Sequence, residues 1–420
     1  MDSNERKILV FTSFGHFLCH LYMLVFPVLL LPITRALGMP MEEVLPKSFL
    51  MYLLYGILAM PWGFLSDHYN PRVVLAVGVI LAGAGFCTTA ITHNSSLLPL
   101  SLALVGVGCA AYHPAGLSML SKGLRSRGRG MGINGLFGNL GIAGAPFAAG
   151  SLNYAFGWRP TLLIFGGIGI AIGIVCLIIP FTVKRGEDLQ KSSEIRHSHL
   201  LKLFITICVV MTFSGLMYRG FTLILPSYME MRLADTFEQL YRDLSTAESA
   251  IMTAGRGSLF AAIIAGMAYL VGMGGQIIGG RIADRGNLKV VYVAYFVAAL
   301  PFLLALRFAT GISLAIFAGM FAFFTIGIQP IENSMYAMLT PPRWRSVAYG
   351  LKFTLAFGVG SLSVFFVNRV EQRWGLAAVV LLLVCYLGAV ILAAVLFNIL
   401  GRGQEIRHAH DAPAAVSSGK

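Results

Sequence analysis

Charge is scarce in this chain. Only 12% of the 420 residues are Asp, Glu, Lys or Arg, while 57% are hydrophobic and the mean hydropathy is +0.78. So few charges cannot clothe a water-exposed surface, which excludes an ordinary soluble domain. Acids are scarcer still, 18 against 31 basic residues, for a net charge of +13. Cysteine is limited to Cys19, Cys87, Cys109, Cys176, Cys208 and Cys385, each inside an apolar segment. Their spacing gives neither a metal knuckle nor a disulfide framework, and they read as small packing residues. Also missing are the phosphate-binding loop G-x-x-x-x-G-K-[ST], the nucleophile elbow G-x-S-x-G and the zinc motif H-E-x-x-H. Nothing therefore points to ATP as an energy source, to hydrolytic chemistry or to a cofactor, and an enzyme is the least favoured class.

What the chain has instead is apolar length. In hydrocarbon a segment must satisfy its own backbone, so runs of roughly 20 apolar residues read as transmembrane helices. They fall near 8–33, 45–66, 72–92, 97–121, 129–153, 158–182, 200–227, 254–282, 289–308, 311–338, 346–369 and 375–399. The expected fold class is an all-α membrane protein with twelve transmembrane helices. The first run is too long, and too closely followed by others, for a cleaved signal peptide. Lys and Arg gather in the loops that face the cytoplasm if the N-terminus does, so the positive-inside rule puts both termini there. The expected location is a bacterial cytoplasmic (inner) membrane, crossed many times. On this reading the basic excess sets topology. Lys122, Arg125, Arg127 and Arg129 suit anionic headgroups, and nucleic acid is not the partner.

The order is duplicated. Gly63-Phe-Leu-Ser-Asp67-His-Tyr-Asn-Pro-Arg72 returns 217 residues later as Gly280-Arg-Ile-Ala-Asp284-Arg-Gly-Asn-Leu-Lys289. Tyr112-His113-Pro114 and Ile328-Gln329-Pro330 are offset by 216, as are Trp158 and Trp374, each beside a glycine. Lys184 to His199 is the natural linker, giving an N-terminal half at 1–183, a cytoplasmic linker at 184–199, a C-terminal half at 200–400 and a disordered cytoplasmic tail at 401–420. A second polar stretch, Glu230 to Ser249, carries five acids and suits the outer face. Parallel six-helix repeats are one of the arrangements found in secondary transporters.

With these features the chain resembles the major facilitator superfamily over nearly its whole length. The resemblance implies two pseudo-symmetric six-helix bundles. Gly63, Asp67 and Arg72 are similar to the superfamily's signature between helices two and three, where a basic residue usually follows the aspartate. His68 stands there in this chain, and Arg285 in the second copy. An aspartate at a helix end can accept from backbone amides and pair with a cation. The resemblance implies that Asp67, with Gly63 and Arg72, and Asp284, with Gly280, Arg285 and Lys289, latch the cytoplasmic side shut. In helix five, Gly132, Gly141, Ala145, Pro146 and Gly150 resemble the antiporter signature G-x8-G-x3-G-P-x2-G-G, with alanine at 145 and 149. Such a surface lets a neighbouring backbone approach, and generic small-residue packing is the alternative reading. The arginine that exporters carry in helix four is absent, since residues 98–112 hold no charge. The histidines of helix one, Tyr112-His113-Pro114 and helix five look most like the fosmidomycin-resistance, drug:proton antiporter type, although Ala115 and Gly116 stand where that type has an acid.

By the same resemblance, helices one, four, seven and ten line a central cavity, and the sparse intramembrane polar groups fall on them. They are His16, His20, Tyr112, His113, Tyr218, Arg219, Gln329, Glu332 and Asn333. Polar groups in hydrocarbon are costly enough to be candidate substrate or proton sites by default. Arg219 and Glu332 read as an ion pair, either permanent or opened by substrate or proton. Lys352 is expected to snorkel to the cytoplasmic end of helix eleven. His20 or His113, ahead of His16, suits proton or substrate binding. His16 and His20 also have metal-ligand spacing, with His113 as a third donor, but no acid or cysteine joins them, and no metal is assigned.

The leading expectation is a monomeric, proton-coupled secondary transporter exporting a small amphipathic or anionic molecule by alternating access. Uptake of a polar metabolite is the alternative. Metal transport and a non-transporting membrane sensor follow.

Overall fold

In a computed structural model, every regular element among the described residues is helical. The description covers residues 1–125, 127–183, 197–242, 250–283, 287–340 and 350–401. The spans are α1 (Ser3–Leu37), α2 (Met41–Ile57 continuing as Ala59–His68), α3 (Pro71–Ile91), α4 (Leu98–Ala110 continuing as Tyr112–Gly123), α5 (Arg127–Phe156) and α6 (Trp158–Ile178). They continue as α7 (His197–Arg242), α8 (Ala250–Ala283), α9 (Leu288–Leu306), α10 (Gly311–Gly327 continuing as Gln329–Leu339), α11 (Gly350–Trp374) and α12 (Leu376–Leu400). Ten spans are long and apolar enough to cross a membrane, and α2, bent by 41°, makes an eleventh. Glycine-rich α5 meets the length requirement with 30 residues. The all-α, multi-span architecture read from the sequence is present.

The boundaries shift for local reasons. Asp2 and Glu5 form a reciprocal capping box, which starts α1 at Ser3 and not near residue 8. α7 runs on to Arg242, well past the expected end near 227, because Glu, Met, Leu and Arg are good helix formers even after hydrocarbon ends. There Tyr228 and Arg232 donate to the carbonyls of Leu306, Arg307 and Ala309, satisfying the open end of α9. α4 and α10, read as continuous, both break just before their matched Tyr112-His113-Pro114 and Gln329-Pro330 segments, since proline cannot donate to the preceding turn. α11 contains a π turn at Thr354–Gly358 followed by a 3-10 turn at Val359–Leu362. The two tryptophans are not equivalent: Trp158 is buried and Trp374 is exposed. The matched positions are the N-caps of α6 and α12, Gly157 at φ 84° and Gly375 at φ 74°, a left-handed conformation that favours glycine.

α1 packs on α5, and α3 on α4 and α6, while α8 packs on α10 and α12 on α7 and α9. The two bundles meet where α5 lies against α8 and α2 against α11. Small residues make these approaches possible. A side chain at Gly56 would strike the Gly358 backbone, one at Gly141 the Phe17 carbonyl, and one at Gly150 Ala262. At the rim away from the termini, Arg35 on α1 reaches Glu230 on α7 at 2.6 Å and Ser258 on α8 at 2.5 Å. Phe49 of the N-terminal bundle and Phe365 on α11 meet with tilted rings, centroids 4.4 Å apart. Most of the linker (184–196), the tail from 402, and Asp284 and Arg285 lie outside the described residues.

Candidate functional site

Three imidazoles converge between α1 and α4. His16 and His20 are one helical turn apart, and the break at Ala111 turns His113 toward them, with ring centroids 5.5 and 5.4 Å away. Tyr112 stacks on His16 at 4.5 Å and donates to Asn134 Oδ1 at 2.7 Å. His113 Nε2 meets the Tyr55 hydroxyl at 2.9 Å, and its ring stacks on Phe353 of α11 at 4.6 Å.

Hydrogen-bond roles assign the protons. His16 Nδ1 lies 2.9 Å from the Asn134 carbonyl, which can only accept, so Nδ1 carries the hydrogen. The bare Nε2 of neutral His16 lies 3.0 Å from His20 Nε2. His20 must therefore donate through Nε2, leaving its Nδ1 bare. The Asn134 amide nitrogen is buried and has no partner among the described residues.

Arg219 is 2% exposed, with its guanidinium carbon 3.8 Å above the Tyr52 ring. Its Nε is buried without a hydrogen-bond partner, and no carboxylate pairs with it among the described residues. This corrects the expected Arg219–Glu332 pair. Glu332 pairs instead with Lys352 at 3.2 Å and accepts from the Tyr292 hydroxyl at 3.0 Å, while Lys352 also donates to Asn333 Oδ1. Lys352 does not snorkel: its side chain is 9% exposed. The hinge at Ile328 and the π turn of α11 change the rotational phase that an uninterrupted helix would have imposed. The charge of Arg219 reaches His20, Tyr55, Tyr218 and Tyr269, and that of Lys352 reaches His113. Gln329 accepts from Gln276 at 2.8 Å, and Gln276 in turn accepts from Asn139 on α5, joining the two bundles.

The three histidines each offer one nitrogen, all within 4.8 Å of one another, a spacing that could accommodate a metal ion. The group contains no carboxylate or thiolate, and the Arg219 cation, with no paired carboxylate among the described residues, acts on it, so a divalent ion would enter an already positive field.

The cassette residues separate. Asp67 is exposed and pairs with Lys122 at 3.5 Å, and Gly63 lets α2 lie against Pro114. Arg72 does not meet Asp67. It donates to the Ile179 carbonyl at 2.9 Å and lies over Phe181, capping α6. Lys289 donates to the Gly401 carbonyl at 2.5 Å, and Gly280 faces open space. In α5, Gly141 and Gly150 are contact residues and Ala145 is fully buried, with Pro146 inside the helix. A side chain at Gly132 would meet nothing within 4 Å, so this glycine does not serve a close approach as expected. Sequence reasoning missed Tyr52, Tyr55, Asn134, Gln276 and Tyr292. Tyr52 and Tyr55, three apart on α2, were the detectable signal.

Residues 12–364 match the family model of the Major Facilitator Superfamily, and the chain belongs to that superfamily. It is thus a multi-pass membrane protein of a transporter family. Among solved structures it is similar to a bacterial homologue of the human lysosomal transporter Spinster in an inward-facing, occupied conformation, with TM-score 0.72 and 14% identity over 99% of this chain and all of that one. A probable L-galactonate transporter of Escherichia coli K12 is 27% identical over 146 residues, 34% of this chain and 32% of that protein. The multi-drug resistance efflux pump PmrA of Streptococcus pneumoniae is 22% identical over 290 residues, 67% of each chain. The chain spans about a third of the length of several of its curated relatives.

Proposed function

We propose that this protein moves a small organic anion across the membrane by alternating access, coupled to protons. The observation that carries the reading is Arg219, a buried cation between the bundles with an unpartnered Nε and no carboxylate. A buried guanidinium left alone is costly, and an anionic substrate would complete it. That one relative is named for galactonate, a carboxylate, agrees with this chemistry. The Arg35–Glu230 contact closes the outer rim, and the Asp67 and Asp284 cassettes serve the inner gate. Export is the direction supported by the α5 pattern at Gly141, Pro146 and Gly150 and by the efflux relative. Uptake is the second reading, favoured because the base facing Arg219 is a histidine and not an acid.

The test is anion-evoked proton movement in proteoliposomes, followed with a pH-sensitive dye over galactonate, benzoates and phosphonates. Arg219→Gln is expected to raise the half-saturating concentration at least about thirtyfold, the equivalent of ~2 kcal/mol lost from a desolvated charge contact. Unchanged affinity in that variant would sink the assignment.

A further inference from the structure

The hydrogen-bond roles single out one atom. In the neutral cluster, His16 donates through Nδ1 to a carbonyl and receives from His20 through Nε2, so both its nitrogens are occupied. His113 is engaged through Nε2 by Tyr55 and covered by Phe353. The Tyr55 hydroxyl accepts from Cys19 Sγ and donates to His113 Nε2, which puts the His113 hydrogen on Nδ1, so His20 Nδ1 is the imidazole nitrogen left with a bare lone pair and no hydrogen-bond partner among the described residues. A proton added there yields an imidazolium whose other N–H is already donated to His16, which passes the polarisation to the Asn134 carbonyl.

The surroundings decide when that proton is welcome. His20 is faced by the neutral His16 from α1 and by His113 from α4, and the Arg219 charge of α7 acts on it, while Tyr55 of α2 bonds His113 and Tyr52 of α2 lies under Arg219. Lys352 of α11 acts on His113, and its charge is already neutralised by Glu332. Arg219 lies 3.8 Å over Tyr52, whose hydroxyl donates to the Met23 carbonyl one turn beyond His20 on α1, and is thus the uncompensated charge on this side of the cluster among the described residues. An anion on Arg219 cancels one positive charge that acts on an imidazolium at His20, so each ligand favours the other, and by linkage the effect is reciprocal. Exchange of proton for substrate needs the opposite device, an acid that holds Arg219 when deprotonated and releases it when protonated. No acid pairs with Arg219 among the described residues, and Glu332 is committed to Lys352 and Tyr292.

We propose that His20 Nδ1 is the proton-binding atom of the transport cycle and that it takes its proton together with an anion on Arg219, making the protein a proton–anion cotransporter. The inference rests on Arg219 as the anion site. With an inward proton gradient the flux is uptake, so this inference takes the second of the two directions above over export, and the glycines of α5 then serve packing alone.

The experiment is to add L-galactonate or benzoate to the purified protein in weakly buffered detergent near neutral pH, measuring bound anion by calorimetry and proton exchange with a pH dye. About one proton is expected to be taken up per anion bound, falling toward zero per anion in His20→Gln. Anion affinity is expected to rise roughly 5- to 150-fold as pH is lowered through the titration of His20, the usual range of site-to-site coupling. Proton release on binding, or loss of uptake in His113→Gln but not His20→Gln, overturns the assignment. Binding with no proton exchange overturns the linkage while leaving the anion site standing. Failure of every probe to bind, or binding indifferent to Arg219→Gln, overturns the anion site and the linkage with it.

Discussion

At Glu332 and Lys352 two opposite charges share a site in which their side chains are 7% and 9% exposed. A pair so deeply buried is costly to break from one side only. Lys352→Met should therefore lower unfolding stability by about 3–5 kcal/mol, and adding Glu332→Gln should recover most of the loss, because no charge is then left alone. Denaturant unfolding in detergent checks this, and equal losses in the single and double variants would show that the pair is not acting as a unit. At this scale the sequence was informative about which groups lie in the membrane. His16, His20 and His113 do meet, as four-residue spacing and a shared cavity suggested. Partner choice was not legible, because it depends on rotation about helix axes that are broken at Ile328 and widened at Thr354–Gly358.

For whole helices, the glycines of α5 show how far a spacing pattern can be trusted. Gly141 faces the Phe17 carbonyl, whereas a side chain at exposed Gly132, equally part of the pattern, would meet nothing within 4 Å. Gly141→Val should cost about 1–3 kcal/mol through overpacking and depress transport, while Gly132→Val should stay within ~0.5 kcal/mol. Thermal melting of both variants in detergent decides it, and equal effects would sink the contact assignment. Spacing says that two positions are special together. It does not say which of them has a neighbour. Proline carried a similar partial message: Pro114 and Pro330 marked the breaks of α4 and α10, although the bends themselves depend on packing.

Over the whole molecule, the legible features were those that repeat or that hydrocarbon enforces, namely the helical class and the duplicated order. The unread features were contacts between bundles, since nothing in linear spacing relates Arg35 to Glu230, 195 residues away. That rim contact leads to a further prediction. In a background lacking the six native cysteines, Arg35→Glu should increase labelling of a cysteine placed at buried Ser227 by a membrane-impermeant thiol reagent severalfold, and adding Glu230→Arg should restore protection. Labelling unaffected by either change would show that the rim is held shut elsewhere.

The π turn of α11 separates Lys352, seated on Glu332, from Phe365, whose ring packs at a tilt against Phe49 of the opposite bundle. A π turn holds one residue more than an α turn, and one residue corresponds to about 100° of rotation about the helix axis. Relaxing that turn while the 3-10 turn at Val359–Leu362 and Phe365 stay in place would swing Lys352 off Glu332. The helix is in effect laid out as a crank, with the wide turn as its throw and the ion pair as its pin.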